Sequence, residues 1–146
     1  MADKFYINYS ASASPIEELE AADSSQKSRI IHSSIDKTIG GGKEIDCGGT
    51  AADVAYQNYT TTATATSTPL ASSGYDFLMV KISEAIDSDG DCDCLIEISG
   101  TVVSKLIKVG DVCLLRPPAI AGSAIEIYSS DSGKLCKVDI LSGKEA

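Results

Sequence analysis

Acidic oxygen is concentrated in one stretch, Asp87-Ser88-Asp89-Gly90-Asp91-Cys92-Asp93. Alternating carboxylates on a tight loop are hard ligands of the kind Ca²⁺ takes six to eight at a time. The EF-hand pattern fails here. Counted from Asp87, the sixth position is Cys92 instead of Gly, and the twelfth is Ile98 instead of Glu. Asp-Gly is also a common hairpin turn, so the stretch reads as a solvated hairpin tip, with Ca²⁺ as the rival. Cys92-Asp93-Cys94, with Cys113 and Cys136 elsewhere, supplies enough thiolates for zinc, but the Cys-x-Cys spacing is shorter than the usual Cys-x₂₋₄-Cys. On a strand both side chains of such a pair share one face, and Cys94 and Cys136 fall on faces otherwise filled by Ile and Val. They read as core thiols.

Nucleophilic and phosphate chemistry find little support. The single histidine, His32, lies beside Ser33 with no orienting acid in view, and no Gly-x-Ser-x-Gly elbow occurs. Gly41-Gly42-Lys43-Glu44 is not a phosphate loop, because residue 37 is Lys and Lys43 precedes Glu. Tyr56-Gln57-Asn58-Tyr59 is the one cluster that joins stacking rings to amides, as a sugar-binding face would, but there is no Trp. The residues therefore assign no catalytic, cofactor-binding or metal-ligating position, and the chain is not expected to be an enzyme.

Composition narrows the partners. The 146 residues carry 12 basic and 21 acidic side chains, net −9. The acid is evenly spread, with 5 basic against 9 acidic residues in 1–73 and 7 against 12 beyond. No basic face is left to neutralise phosphates, which argues against nucleic acid and against anionic membrane surfaces. No apolar run reaches the roughly 20 residues of a membrane span. Met1–Phe5 shows no basic n-region or apolar h-region, so no signal peptide is expected. Five cysteines without an export signal read as reduced thiols.

The elements that must position these residues are mostly strands. From Gly74 onward, branched and aromatic runs alternate with turn residues, which predicts strands over Tyr75–Ile86, Asp93–Ser99, Val102–Val109, Asp111–Leu115, Ala124–Ser129 and Lys134–Leu141. Period-2 patterning places Cys92, Cys94, Ile96 and Ile98 on one face, and Cys136, Val138 and Ile140 on another. Phe77-Leu78-Met79-Val80 does not alternate and reads as a central strand covered on both faces, or as one lying under the N-terminal half. The short connections require antiparallel pairing. The fold expected is all-β: an antiparallel sandwich of jelly-roll or Greek-key type over residues 74–146.

With one compact domain over 1–146 as the alternative, residues 1–73 read as an irregular arm that wraps the sandwich or reaches a neighbouring subunit. It holds a strand over Lys4–Tyr9 and a short helix over Pro15–Ala22, started by a capping box (Ser14 as cap, Glu17 in the first turn). A second strand candidate is Arg29–Ile35. Gly40-Gly41-Gly42 and Gly48-Gly49 are expected to break structure, and Thr60–Thr68 to be an extended edge or linker. With so few apolar anchors, this region is expected to make the intermolecular contacts. The sandwich edge or its loops, such as Pro117–Gly122, are the alternative contact surface.

Two stretches carry a resemblance: Leu106-Ile107-Lys108-Val109-Gly110-Asp111-Val112-Cys113-Leu114-Leu115-Arg116, and the run from Ala124-Ile125-Glu126-Ile127-Tyr128 through Ser129-Ser130-Asp131-Ser132-Gly133 to Lys134-Leu135-Cys136-Lys137-Val138. The order of Lys-x-Gly-Asp turn, apolar strand, Pro loop, apolar strand, Ser-x-x-Gly turn and apolar strand resembles small β-sandwich virion proteins of tailed bacteriophages, the capsid decoration (cement) type and some tail proteins. It spans about residues 75–141. The resemblance implies a structural role on a capsid and contacts with the major capsid protein or other virion subunits. It further implies a homo-oligomer, such as a trimer, and location in the virion after synthesis in the host cytoplasm. It transfers no site residue, because the shared pattern is a scaffold. A tail or surface module that binds a carbohydrate or a receptor is the alternative.

Overall fold

The computed structural model describes residues 3–18, 27–29, 39–65, 69–70, 74–87 and 90–146. Almost every regular element is a strand, and the first four in chain order are β1 (Tyr6–Ala13), β2 (Ile16–Glu18), β3 (Lys27–Arg29) and β4 (Ile39–Asp46). In the larger unit, residues 1–7 with 46–146, the strands are β5 (Val54–Thr60), β6 (Gly74–Tyr75), β7 (Phe77–Ala85), β8 (Asp91–Ile98), β9 (Thr101–Lys108), β10 (Val112–Leu115), β11 (Ile120–Ala121), β12 (Ile125–Tyr128) and β13 (Cys136–Gly143). They form a four-stranded sheet in the order β10-β7-β13-β5, a three-stranded sheet β12-β8-β9 and a β11–β6 pair. Every pairing is antiparallel. Successive strands β7 and β8 are the hubs: β10 and β13 flank the first, β9 and β12 the second.

Alternation explains why these residues form a sandwich. Leu78, Val80 and Ile82 of β7 share one parity. They meet Val138 and Ile140 of β13, Cys94 and Ile96 of β8, Leu106 of β9 and Ile125 and Ile127 of β12 in one buried cluster. Side chains of period 2 from two sheets thus close over a common core. The opposite parity of β7 stays partly covered: Phe77 is buried and Met79 half-buried. This is the doubly covered, interior strand that the unbroken apolar run implies. The all-β sandwich is therefore the architecture of this unit, and each of the six strands read from Gly74 onward is present with its ends shifted by two or three residues at most.

The N-terminal part departs from expectation. Ile16–Glu18, inside the segment read as a helix, is a strand paired with Lys27–Arg29. A helix of about two turns has little stability of its own. A ladder of three residue pairs wins instead. Residues 19–22 lie outside the described residues. So does the part of Arg29–Ile35 beyond Arg29, including His32, and so do residues 66–68 of Thr60–Thr68. Gly40-Gly41-Gly42 does not break structure but sits within a strand, Ile39–Asp46, beside the first strand Tyr6–Ala13. At Gly42 a Cβ would collide with the Tyr9 carbonyl oxygen, so glycine is what lets these backbones approach. Within the stretch read as the arm, Val54–Thr60 pairs along β13 from Val54↔Gly143 to Thr60↔Lys137 and belongs to the four-stranded sheet.

The second unit spans Asn8–Ile45. It consists of paired strands, 6–13 with 39–46 and 16–18 with 27–29. From Asn8 to Ser14 and from Ile39 to Glu44, every described side chain is exposed except half-buried Tyr9. The ribbon leaves and rejoins the larger unit at a pinned point, where Phe5 N donates to Gly48 O and Cys47 N to Phe5 O, both at 2.8 Å. Nearby, the absent side chain of Gly143 makes room for Ile7, which is buried.

Candidate functional site

The register between β8 and β9 shifts between Asp91 and Cys94. A bulge of this kind disrupts the ladder locally. Cys92, Asp93 and Cys94 are all buried in succession. Asp93 keeps the outward parity read from the sequence, yet it is only 4 % exposed, because the turn after β12 folds over it. Its Oδ2 accepts from Ser130 N at 2.8 Å and from the Ser130 hydroxyl. Lys105 Nζ stands 3.3 Å from Oδ1. That is ion-pair distance without hydrogen-bond alignment, so Oδ1 has a counter-charge but no donor. Burial alone pushes this carboxyl pKa up. The Ser130 hydroxyl, the Lys105 ammonium and the Ser130 N–H outweigh burial and hold it below the usual aspartate value.

Asp93, Lys105 and Ser130 line a polar pocket of about 320 Å³, together with Lys108, Lys134 and Cys92. Lys108 reaches Asp91 at 3.4 Å. The charges alternate in sign, so the pocket offers hydrogen-bonding groups without a dominant field. A carboxylate held this acidic is a poor acceptor for the Ser130 proton. The Asp93–Ser130 contact acts as a clamp that ties the 129–134 turn to the β8 bulge.

Behind the pocket lies a group of thiols. All five cysteines are free and buried. Interaction with Cys136 and burial raise the Cys94 pKa, while interaction with Cys94 lowers that of Cys136 against the pull of burial. Thr61 Oγ1 lies 3.7 Å from the Cys136 sulfur. Burial raises Cys92 to about 11, and the neighbouring Cys136 adds to it. Thr61 Oγ1 also accepts from Cys136 N at 3.1 Å and lies 2.7 Å from Ser129 Oγ.

No family model matches this chain. No curated protein and no solved structure matches it either.

The residues singled out in the sequence are dispersed. Of the Asp87–Asp93 carboxylates, Asp91 turns to Lys108 and Asp93 to Ser130 and Lys105, while residues 88 and 89 lie outside the described residues. Cys113 belongs to the core cluster. Among the described residues, no three His, Cys, Asp or Glu side chains are placed to hold a metal ion. The tyrosines do not line one groove. Tyr56 is 67 % exposed and donates to Asp139 at 2.8 Å, Tyr59 packs on the core, Tyr75 is buried and Tyr128 donates to Glu97. Asn58 joins Tyr56 on Asp139, and Gln57 donates to Pro69 O.

Sequence reasoning missed the Asp93 clamp and Thr61. The one available signal was that Asp93 and Lys105 stand on strands joined by a short Ser-Gly turn. Sequence reasoning also missed a run of exposed apolar residues. Among the described residues, five of the nine exposed large hydrophobics, Val102, Val103, Ile107, Val109 and Val112, fall within eleven residues of β9, its turn and β10. Such clustering marks contact surfaces more than scattered residues do. Among the described residues no helix is long and apolar enough to cross a membrane.

Proposed function

We propose that this chain is a structural virion protein that decorates and stabilises a bacteriophage capsid through subunit contacts, with the Asn8–Ile45 ribbon as the contacting arm. The observation that carries this reading is that the ribbon forms a unit of its own whose described side chains are almost all exposed. A two-stranded ribbon alone is marginal in water, and an arm of this kind gains its buried surface from a partner. Its small residues, Ser10–Ala13 beside Gly40–Gly42, leave backbone accessible to a neighbouring subunit. A lattice multiplies such contacts, so each can be weak.

The ends of the ribbon lie side by side at Phe5 and Cys47, which allows it to be cut out. Joining Ile7 to Asp46 through Asn-Gly, a turn suited to antiparallel strand ends, removes residues 8–45. The shortened chain is expected to keep its strand-rich circular dichroism. It should lose binding to capsids and any self-association seen by light scattering. Undiminished binding by a folded shortened chain refutes the arm as the contact.

A further inference from the structure

The pocket of about 320 Å³ opens where the β8–β9 ladder is interrupted. Asp91 pairs with Lys108 and Cys94 with Leu106, so Cys92 and Asp93 together stand opposite Ile107 alone. The 129–134 turn crosses this gap. It is held there by the Ser130 bonds to Asp93 and by Asp93 N donating to Lys134 O at 3.1 Å. All the lining residues belong to the larger unit.

Pockets for small molecules run from about 300 to 1,000 Å³ and are mostly apolar. This one lies at the lower bound, with room for one small ring, and of its lining residues only Cys92 and Ile107 are apolar. Three ammonium groups, Lys105, Lys108 and Lys134, face three carboxylates, Asp91, Asp93 and Asp131. Their charges cancel, so the pocket selects neither an anion nor a cation. It offers donors interleaved with acceptors. Lys108 meets Asp91 at 3.4 Å and Lys105 meets Asp93 at 3.3 Å, and an ammonium has three N–H bonds to give. Asp131 Oδ1 accepts from Gly133 N at 2.8 Å, and a carboxylate accepts about four bonds in all. Asp93 Oδ1 is buried and has no donor. Neighbouring alcohols match such a wall, because each hydroxyl accepts from an ammonium while it donates to a carboxylate.

We propose that this pocket binds the terminal neutral hexose of a glycan. One ring hydroxyl donates to Asp93 Oδ1 and the next accepts from Lys105. The Lys105 side chain, 57 % exposed, stands over Oδ1 and turns to bridge carboxylate and ligand. Lys134 and Asp131, both exposed, take the hydroxyls nearer the rim. Ile107 is exposed as well and covers one carbon face of the ring. The open rim leaves the rest of the glycan in solvent. Tyr56 and Asn58 form no part of this site, since both are bonded to Asp139 on the other sheet. With about 12 non-hydrogen atoms at the efficiency usual for small ligands, a hexose should bind with a Kd of about 1–10 mM.

The test follows the amide NMR spectrum of the isotope-labelled full chain during titration with the methyl glycosides of glucose, galactose and mannose, each to about 50 mM. At least one should bind saturably and shift the amides of residues 91–93, 105–108 and 129–134. Its Kd should stay within about twofold between low and high salt, because a neutral ligand carries no charge to screen. Lys134→Ala should weaken this binding about tenfold, the effect of one charge-assisted hydrogen bond, and leave the amides of the core strands in place. Methyl glucuronide, the anionic counterpart, should bind no more tightly than the glucoside. The proposal is overturned by the absence of a saturable shift with all three glycosides, by shifts centred on Tyr56 and Asn58, by Lys134→Ala binding as wild type does, or by tighter binding of the glucuronide. The first two results need no variant to fold.

Discussion

Replacing Asp93 by alanine tests whether the clamp between β8 and the 129–134 turn stabilises the fold. The carboxylate receives two hydrogen bonds from Ser130. Bonds to a charged group contribute roughly 1.5–3 kcal/mol each. The Lys105 pair adds about 0–1 kcal/mol, since its ammonium side chain is 57 % exposed and screened. Against these stands the cost of keeping a carboxylate out of water. Ser130 and Lys105 are exposed and can return to solvent in the variant. The net loss should be about 3 kcal/mol, which for a urea slope of about 2 kcal/mol/M moves the midpoint down by about 1.5 M. Ser130→Ala keeps the N–H donor and should lose about 1 kcal/mol. The pH dependence has a definite sign. The folded pKa lies below that of an unfolded aspartate, so the contribution is complete above about pH 4 and fades as pH falls through the folded value. Urea titrations of wild type and variant at several pH values should therefore converge in acid. A variant within about 0.5 kcal/mol of wild type at pH 7 refutes the reasoning, and so does a gap that widens in acid.

Thr61→Val keeps the shape but leaves the buried Cys136 N–H without its acceptor; urea unfolding should show a loss of about 1–3 kcal/mol. Gly42→Ala sets a Cβ against the Tyr9 carbonyl, so limited proteolysis should cut within residues 8–45 faster than in wild type. Asp111 accepts from Ile107 N at 2.9 Å and Lys108 N at 3.0 Å, which caps the end of edge strand β9. Asp111→Ala should bare these donors beside Ile107 and Val109, and light scattering should show concentration-dependent self-association.

Period 2 made the sandwich readable because its strands bury one face and wet the other, as in Ile125-Glu126-Ile127-Tyr128 and Cys136 to Ile140. β5 escaped notice for a related reason. Its inward residues are Ala55, Gln57 and Tyr59, and only the last carries much apolar surface to mark the pattern. The glycine triplet misled because glycine is read as a breaker, whereas at Gly42 the constraint is a close neighbouring backbone that no single-chain pattern reveals. Asp93 could be assigned to an outward parity, but not to a buried state. Its cover comes from a turn 37 residues away, and pairing across such a distance is written in three dimensions only. Cys94 and Cys136 were each legible as core positions, and their meeting in one cluster with strands of both sheets was not.

The position of β13 bears on how the chain reaches its fold. This strand lies between β7 and β5, yet it comes after every other described strand in chain order. Tyr56 must therefore wait for Leu141, and Met79 for the same residue. Closing loops of this length costs conformational entropy before any pairing returns it, and sheets built from distant partners fold slowly. Until β13 arrives, β5 and β7 each carry an unpaired edge. Any partner strand that reaches them first competes with the native one, and the rate of β13 docking then decides between a finished sandwich and a tangled one.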